Sequence, residues 1–181
     1  MIAILFAKES RRLKNKHSME LCGETMIDRI ARILLESGYF KNIILFTRNY
    51  SLKSRYAVTD FDRTEGILMD SIIYCIGKYH EFLAVGGDMP YIDRDITGKI
   101  VNRYEKHSIA FDSGGFCQPL FAIYSMDIYE PLKEYHRAGG ESMSNFIREL
   151  NMRCIQGTPE KLKSVNTIED LIDAREKLCI H

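Results

Sequence analysis

The amino-acid sequence predicts an α/β protein with three layers, in which helices cover both faces of a doubly wound, mostly parallel sheet. Short uninterrupted apolar runs stand at 1–6, 42–46 and 82–85, a pattern typical of strands that are buried on both faces. Segments with helical apolar spacing alternate with these runs. This order predicts right-handed crossovers and parallel pairing. Because 181 residues is a usual length for one domain, we predict a single domain over 1–181.

Residues 1–105 carry the regular alternation. After the first strand, Thr25 is a predicted N-cap because Asp28 stands three positions on, and Gly38 ends the apolar face of that helix. The other elements predicted up to residue 85 are strands at 42–46 and 82–85 and a helix at 66–76. The stretch 48–64 is predicted to be a loose connection.

The rest of the chain is less regular. Strands are predicted at 108–111, 116–124 and 152–155, and helices at 92–104, 127–136, 143–150 and 167–178. Thr167 and Asp170 repeat the capping signature at the start of the last helix. A second loose connection is predicted at 138–142.

The charge balance and the chain start exclude several classes of protein. Lys and Arg total 25, as do Asp and Glu, so overall charge gives no reason to expect nucleic acid or a membrane surface as partner. The apolar run at the start is too short for a signal peptide or a membrane span. Five scattered cysteines without a C-x-x-C pair argue against a zinc site and a disulfide framework. We therefore expect reduced thiols and a cytoplasmic protein.

A basic stretch, FAKESRRLKNK at 6–16, follows the first strand and contains five positive charges. Ligands of doubly wound sheets bind at the carboxyl ends of the strands, where this stretch falls. An Arg fork can hold a phosphate bidentately, whereas Lys is a mobile point charge. Arg12 and Lys16 are thus candidates to clamp phosphates, and Lys8 to approach the inner ones. A solvated loop without a ligand is the alternative interpretation.

Asp88 is the sharpest candidate for a metal ligand. It follows a buried strand through Gly86 and Gly87 and precedes Met-Pro, at the same predicted edge of the sheet. Mg²⁺ prefers one or two carboxylates together with substrate phosphates. Alternatively, Asp88 only caps the following helix. Asn166 likewise precedes a predicted helix and either reaches a metal or makes a turn.

Other catalytic signatures are missing from the sequence. The five histidines show no metal-ligand spacing, and no cysteine stands in a nucleophile motif, so we interpret these residues as structural or surface residues. Neither G-x-G-x-x-G nor G-x-x-x-x-G-K occurs. This weakens dinucleotide oxidoreductase and P-loop interpretations.

Five segments in order, FAKESRRLKNK, GETMI, GGDMPYID, QPLFAIY and VNTIEDL, resemble nucleotidyltransferases of the molybdenum cofactor guanylyltransferase type. The matching residues are Ala7, Ser10, Arg12 and Lys16, then Gly23 and Met26, then Asp88, Met89 and Pro90, then Pro119, Leu120, Phe121 and Tyr124, then Asn166, Thr167, Asp170 and Leu171. The resemblance covers nearly the whole chain. It implies the Rossmann-like nucleotide-diphospho-sugar transferase fold.

The same resemblance implies an active site. Lys16 would contact the phosphates, Arg12 would support the triphosphate, and Asp88 would hold Mg²⁺ with Asn166 as second ligand. We expect the nucleotide to be bound by Ala7, Lys8, Ser10, Arg12, Lys16 and Gly87. A phosphate of the acceptor would attack the α-phosphorus of a nucleoside triphosphate and release pyrophosphate. GTP is the expected donor, and a small phosphate-bearing compound such as molybdopterin cofactor is the expected acceptor. We expect the half at 1–105 to bind the nucleotide and the half at 106–181 to bind the acceptor.

The opening segment also departs from this family. Lys8 and Glu9 replace its paired glycines, and Lys14 replaces a later one. Lys8 and Leu13 are similar to the opening of cytidylyltransferases that activate acidic sugars. A CTP-dependent enzyme for an acidic sugar or another small phosphate acceptor is therefore the first alternative. A nucleotide-binding accessory protein that has lost catalysis is the second.

Overall fold

The structure of the protein is a computed structural model that describes residues 1–9, 12–64 and 66–179. The strands are β1 (Ile2–Ala7), β2 (Glu20–Leu21), β3 (Glu24–Thr25), β4 (Ile43–Thr47), β5 (Val58–Phe61), β6 (Phe82–Gly86), β7 (Ile109–Asp112), β8 (Cys117–Tyr124) and β9 (Arg153–Gln156). The α-helices are α1 (Met26–Glu36), α2 (Leu68–Tyr79), α3 (Arg94–Arg103), α4 (Tyr129–Arg137), α5 (Met143–Glu149) and α6 (Ile168–Leu178).

Seven strands form one sheet in the order β5-β4-β1-β6-β8-β7-β9, and β2 and β3 form a separate small hairpin. β8 alone runs antiparallel to the other six strands of this described sheet. The predicted mostly parallel sheet is confirmed. Because β6 pairs with β8, strands from both sides of the predicted division at residue 105 share this sheet.

The sheet is covered on both faces, so the predicted three layers are also confirmed. In β1, Ala3 and Leu5 pack with α1, α3 and α6, whereas Ile4 and Phe6 pack with α2, α4 and α5. Side chains of successive strand residues point to opposite faces, which is why an uninterrupted apolar run such as β1 lies between two helical layers. β1 pairs with β4 on one side and β6 on the other.

Both predicted helix caps are present. The Thr25 hydroxyl accepts a hydrogen bond from the Asp28 backbone N–H at 3.2 Å and starts α1. The Thr167 hydroxyl accepts from the Asp170 N–H at 3.2 Å, and the Asp170 carboxylate accepts from the Thr167 N–H at 3.0 Å. Each cap satisfies helix N–H groups that have no partner within the helix.

One predicted connection is wrong. Residues 58–61 of the supposed loop at 48–64 form β5, which extends the sheet at its edge beside β4. β5 lacks the apolar run of a central strand because it is only partly covered, and Val58 is 66% exposed. The hairpin of β2 and β3 was not predicted either, since its strands have two residues each.

The expectation of unpaired thiols is also wrong for four of the five cysteines. The structure joins Cys22 to Cys179 and Cys117 to Cys154, whereas Cys75 is unpaired and buried. The partners lie 157 and 37 residues apart in sequence, and only the fold brings their Cα atoms to 5.0 and 6.1 Å. Burial raises the pKa of the Cys75 thiol. Within the described residues, no helix is long and apolar enough to cross a membrane.

Candidate active site

Three chain segments meet at the carboxyl edge of the sheet. They are the segment that follows β1, the turn that follows β6, and the residues that precede α6. β1 and β6 are parallel neighbours, so the chain leaves both strands at the same edge. Lys16, Asp88 and Asn166 come from these three segments and are in direct contact.

The Lys16 ammonium is the centre of this cluster. Its Nζ donates to Asp88 Oδ2 at 2.5 Å and to Asn166 Oδ1 at 3.0 Å. The Lys16 side chain is only 6% exposed, and that of Asp88 is 21% exposed. Burying an ammonium is costly unless oxygen atoms replace its water. Two side-chain oxygens therefore converge on a position that holds a cation.

The turn after β6 is held to β1 by close backbone contact. The Gly87 N–H donates to the Phe6 carbonyl at 3.0 Å, and the Met89 N–H donates to the Gly86 carbonyl at 3.2 Å. A Cβ atom at Gly87 would lie 3.1 Å from Nδ1 of His17 and 3.1 Å from Cδ1 of Ile27. Glycine at this position lets β1 and α1 pack directly against the turn.

Two further contacts fix the rest of the turn. The Asp88 carbonyl accepts from the Val165 N–H at 2.8 Å, which joins the turn to the segment before α6. The Pro90 carbonyl accepts from Nε of Arg29 at 3.2 Å, and burial of that guanidinium lowers the pKa of Arg29. The backbone at Asp88 and Pro90 is thus held by hydrogen bonds from separate elements.

The cap of α6 fixes Asn166. The Asp170 carboxylate accepts from the backbone N–H groups of Asn166 and Thr167, each at 3.0 Å. The Asn166 N–H is the main cause that lowers the pKa of Asp170 below its ordinary value. Because the backbone of Asn166 is engaged in this way, its side-chain amide is directed to Lys16.

The remaining predicted nucleotide-binding residues belong to the end of β1 and to the basic segment that follows it in sequence. Ala7 is the buried last residue of β1, and Lys8 is exposed directly after it. Arg12 is an exposed residue of the basic segment. Ser10 lies outside the described residues.

A pocket lies beside Lys8, at the carboxyl ends of β1, β4 and β5. Its lining combines polar and apolar side chains: Phe6, Ala7, Lys8, Phe46, Thr47, Arg48, Asp62, Leu68, Ser71 and Leu120. Asp62 accepts from Arg48 Nε at 3.0 Å and Ser71 Oγ at 2.8 Å. Burial on its own raises the pKa of Asp62, but hydrogen bonds from Thr64 and Ser71 more than offset this and lower it. Arg48 directly follows β4 and Asp62 directly follows β5, and neither was identified from the sequence because 48–64 was interpreted as a loose connection.

His17 is a third residue that the sequence did not indicate. Its ring is buried, with Nδ1 2.8 Å from the Gly87 carbonyl and Nε2 3.1 Å from the Lys8 carbonyl. The only available signal was its position next to Lys16. Among the residues that the structure describes, no group of three or more His, Cys, Asp or Glu side chains could hold a metal ion.

Comparison with known proteins gives one family and several relatives. The family model of the MobA-like NTP transferase domain matches residues 2–154. The chain is 28% identical over 186 residues to a probable molybdenum cofactor guanylyltransferase of Pelotomaculum thermopropionicum, covering 95% of this chain and 90% of the relative. It is 26% identical over 188 residues to the protein of the same description from Pyrococcus horikoshii, covering 93% and 95%.

The fold of this chain is similar to that of several solved structures. Molybdopterin-guanine dinucleotide biosynthesis protein A from Archaeoglobus fulgidus superposes with a TM-score of 0.70 at 15% identity, covering 96% of this chain and 97% of that chain. The 2-C-methyl-D-erythritol 4-phosphate cytidylyltransferase from Thermus thermophilus gives 0.72 at 10% identity, covering 97% of each chain. These neighbours have the nucleotide-diphospho-sugar transferase fold, which confirms the predicted fold class.

Proposed function

Because the chain belongs to the MobA-like NTP transferase domain family, we propose that this nucleotidyltransferase uses GTP and Mg²⁺ to transfer GMP to a small phosphate-bearing acceptor such as molybdopterin cofactor. Membership of the family confirms the resemblance seen in the five sequence segments. GTP and the acceptor are proposed from the names of the curated relatives, which are probable molybdenum cofactor guanylyltransferases.

The observation that carries the proposal is the convergence of Asp88 and Asn166 on one cation. Their side-chain oxygens both contact the Lys16 ammonium, at 2.5 and 3.0 Å. One carboxylate and one amide oxygen fit Mg²⁺, which takes hard oxygen ligands and completes its shell with phosphate and water. Asp88 and Asn166 would hold the ion, which would offset negative charge on the phosphate oxygens.

The basic segment supplies the groups for the phosphates. Lys16 would leave the Asp88 carboxylate for a phosphate oxygen, and the exposed Arg12 and Lys8 would neutralise the rest of the triphosphate. Ala7, Ser10 and Gly87 would contribute contacts close to the backbone. Such a transfer needs positioned reactants and charge stabilisation rather than a protein nucleophile.

We assign the base to the pocket beside Lys8 and the acceptor to the half at 106–181. The base pocket offers apolar side chains from β1 and β4 together with Arg48 and Asp62. It adjoins the end of β1, where the phosphate-binding segment begins. Hence one nucleotide could reach from this pocket to Lys16 along the same edge of the sheet.

A thermal-shift screen of GTP, CTP, ATP and UTP, each with Mg²⁺, tests the donor. A ligand that binds only the folded state raises the melting temperature as its concentration exceeds Kd. We expect the largest rise with GTP, and pyrophosphate release once an acceptor is added. No rise with any of the four nucleotides would contradict the proposal.

A CTP-dependent enzyme is the second candidate, because Lys8 and Leu13 resemble the acidic-sugar cytidylyltransferases. A larger rise with CTP than with GTP, together with pyrophosphate release in the presence of an acidic sugar, would favour it. Binding of a nucleotide without release with any acceptor would instead support the non-catalytic alternative.

A further inference from the structure

His17 connects the two segments that make up most of the candidate site. Its Nε2 lies 3.1 Å from the carbonyl of Lys8, where the basic segment begins, and its Nδ1 lies 2.8 Å from the carbonyl of Gly87, next to Asp88. The ring itself belongs to the end of the basic segment, because His17 follows Lys16 directly. It therefore connects Lys8 with the end of the basic segment, and both of them with the turn after β6.

The surroundings leave the ring little freedom. His17 is 6% exposed and lies in a short 3-10 helical turn at 16–18. Asn15 directly precedes this turn and has a left-handed backbone conformation, with φ of 55°. A Cβ atom at Gly87 would lie only 3.1 Å from Nδ1, so the imidazole is packed directly on the turn. Both ring nitrogens face backbone carbonyl oxygens, and the N–H of the neutral ring donates to one of the two.

We propose that His17 is a positioning residue, which holds the basic segment in register with the turn that carries Asp88. The inference rests on the proposed function, because the groups it aligns are the phosphate-binding side chains of one segment and the metal-binding oxygens of the other. Without the ring, Lys8 and Gly87 lose their common partner. The two halves of the site would then have to be brought together by the nucleotide, at a cost in affinity and rate.

His17→Gln and His17→Phe separate the hydrogen bonds from the packing. Gln keeps an N–H donor, whereas Phe keeps the ring volume without any donor. His136→Gln is the matched control, since its ring also lies between two acceptors, the Gly140 carbonyl at 3.0 Å and Asp70 Oδ1 at 2.9 Å, but joins α4 to α2. For each variant we would measure the Kd of GTP with Mg²⁺, kcat and KM for pyrophosphate release, and the melting temperature.

We expect His17→Gln to raise the Kd and KM for GTP about tenfold and to lower kcat about tenfold, because a small misplacement of reacting groups costs up to ~10²-fold. His17→Phe should be impaired at least as much. His136→Gln should stay within about twofold of the wild type for all three nucleotide parameters, even where its melting temperature falls.

Three outcomes would overturn the inference. These are nucleotide parameters of His17→Gln equal to those of His136→Gln, full activity of His17→Phe, or a His17→Gln protein that does not fold, since we assign the ring a role in positioning and not in folding. If the wild type itself is not stabilised by any nucleotide with Mg²⁺, the proposed function fails. If nucleotide with Mg²⁺ stabilises the wild type and the His17→Gln variant is unimpaired, only the positioning role of His17 is contradicted.

Discussion

Two lysine–aspartate pairs in this protein have similar distances but differ in the burial of the lysine and in the other partners of each group. Lys16 lies 2.5 Å from Asp88 in the candidate site, and Lys78 lies 2.8 Å from Asp60 between α2 and β5. The two aspartate side chains are equally accessible, at 21% and 22%. The lysines are not, since Lys16 is 6% exposed and Lys78 is 43% exposed.

The second partner of each pair explains the difference. Asp60 also accepts from the Tyr79 hydroxyl at 2.6 Å, so the carboxylate has two donors; burial, reinforced by this bond, raises the pKa of Tyr79. Lys16 has a close second acceptor, the Asn166 amide oxygen at 3.0 Å, whereas the second acceptor of Lys78, the Tyr74 hydroxyl, lies at 3.4 Å. In the Lys78 pair, the Asp60 carboxylate accepts from two donors near the surface. In the Lys16 pair, the buried ammonium donates to two side-chain oxygens. The proposed Mg²⁺ site rests on this arrangement of acceptors and on the burial of Lys16, rather than on the ion pair itself.

Asp88→Asn should have the largest effect on activity. Loss of the carboxylate removes the charged ligand of the proposed metal, and we expect pyrophosphate release to fall about 10³-fold, the scale of losing a principal electrostatic contact in a transition state. Asp60→Asn is the control of equal exposure and should retain activity within about twofold. A comparable loss in both variants, or an active Asp88→Asn enzyme, would contradict the distinction between the pairs.

Lys16→Met should lower turnover about 10²-fold, because a phosphate-binding charge is lost. The same change leaves Asp88 and Asn166 without the ammonium, so Mn²⁺ should bind the nucleotide-free variant about tenfold more tightly than the wild type. Electron paramagnetic resonance of free Mn²⁺ measures this directly. Lys78→Met should change neither quantity. Equal Mn²⁺ affinity in the wild type and in Lys16→Met would show that the ammonium does not occupy a metal position.

Much of the fold was accessible from the sequence because central parallel strands are buried on both faces. β1 and β6 are such strands, and the cap at Thr25 has a local signature. β5 could not be predicted in this way, since it is an edge strand with an exposed Val58 and lacks the apolar run of a central strand. The two disulfides were also hidden, because no local pattern links Cys22 to Cys179.

The candidate site divides in the same way. Lys16, Asp88 and Asn166 follow or precede regular elements and stand in recognisable segments, so each could be identified as a candidate from the sequence. Their direct contact is a finding of the structure. His17 acts through its two ring nitrogens on backbone carbonyls, and such contacts leave no trace in the identity of the residues contacted. Arg48 and Asp62 are joined by a hydrogen bond and both lie in the stretch 48–64, so they were missed when this stretch was interpreted as a loose connection.

Asn166→Ala should have a smaller effect than the two preceding changes. The backbone N–H of Asn166 still donates to Asp170, so the start of α6 is preserved while one neutral oxygen ligand is lost. We expect the Mg²⁺ concentration for half-maximal activity to rise about tenfold, with smaller changes in kcat at saturating metal. Asn145→Ala, whose amide oxygen accepts from Arg148 at 3.1 Å, is the control and should leave the metal requirement unchanged.

The smallest expected effect is the contribution of the surface pair, Lys78 with Asp60, to the free energy of unfolding. Measuring it tests the comparison of the two pairs without any assay of activity. Double-mutant cycles on the free energy of unfolding should give about 0.5 kcal/mol for Lys78 with Asp60, as for exposed ion pairs, and this should fade in 1 M NaCl. For Lys16 with Asp88 we expect about 2 kcal/mol or more, retained in salt, because the ammonium is buried and its loss leaves the carboxylate uncompensated. Equal coupling energies in urea titrations would mean that burial of Lys16 has no energetic consequence. In the proposed site the ammonium leaves Asp88 before the metal enters. A strong coupling would therefore also predict that Mg²⁺ alone fails to stabilise the wild type, whereas Mg²⁺ with GTP succeeds.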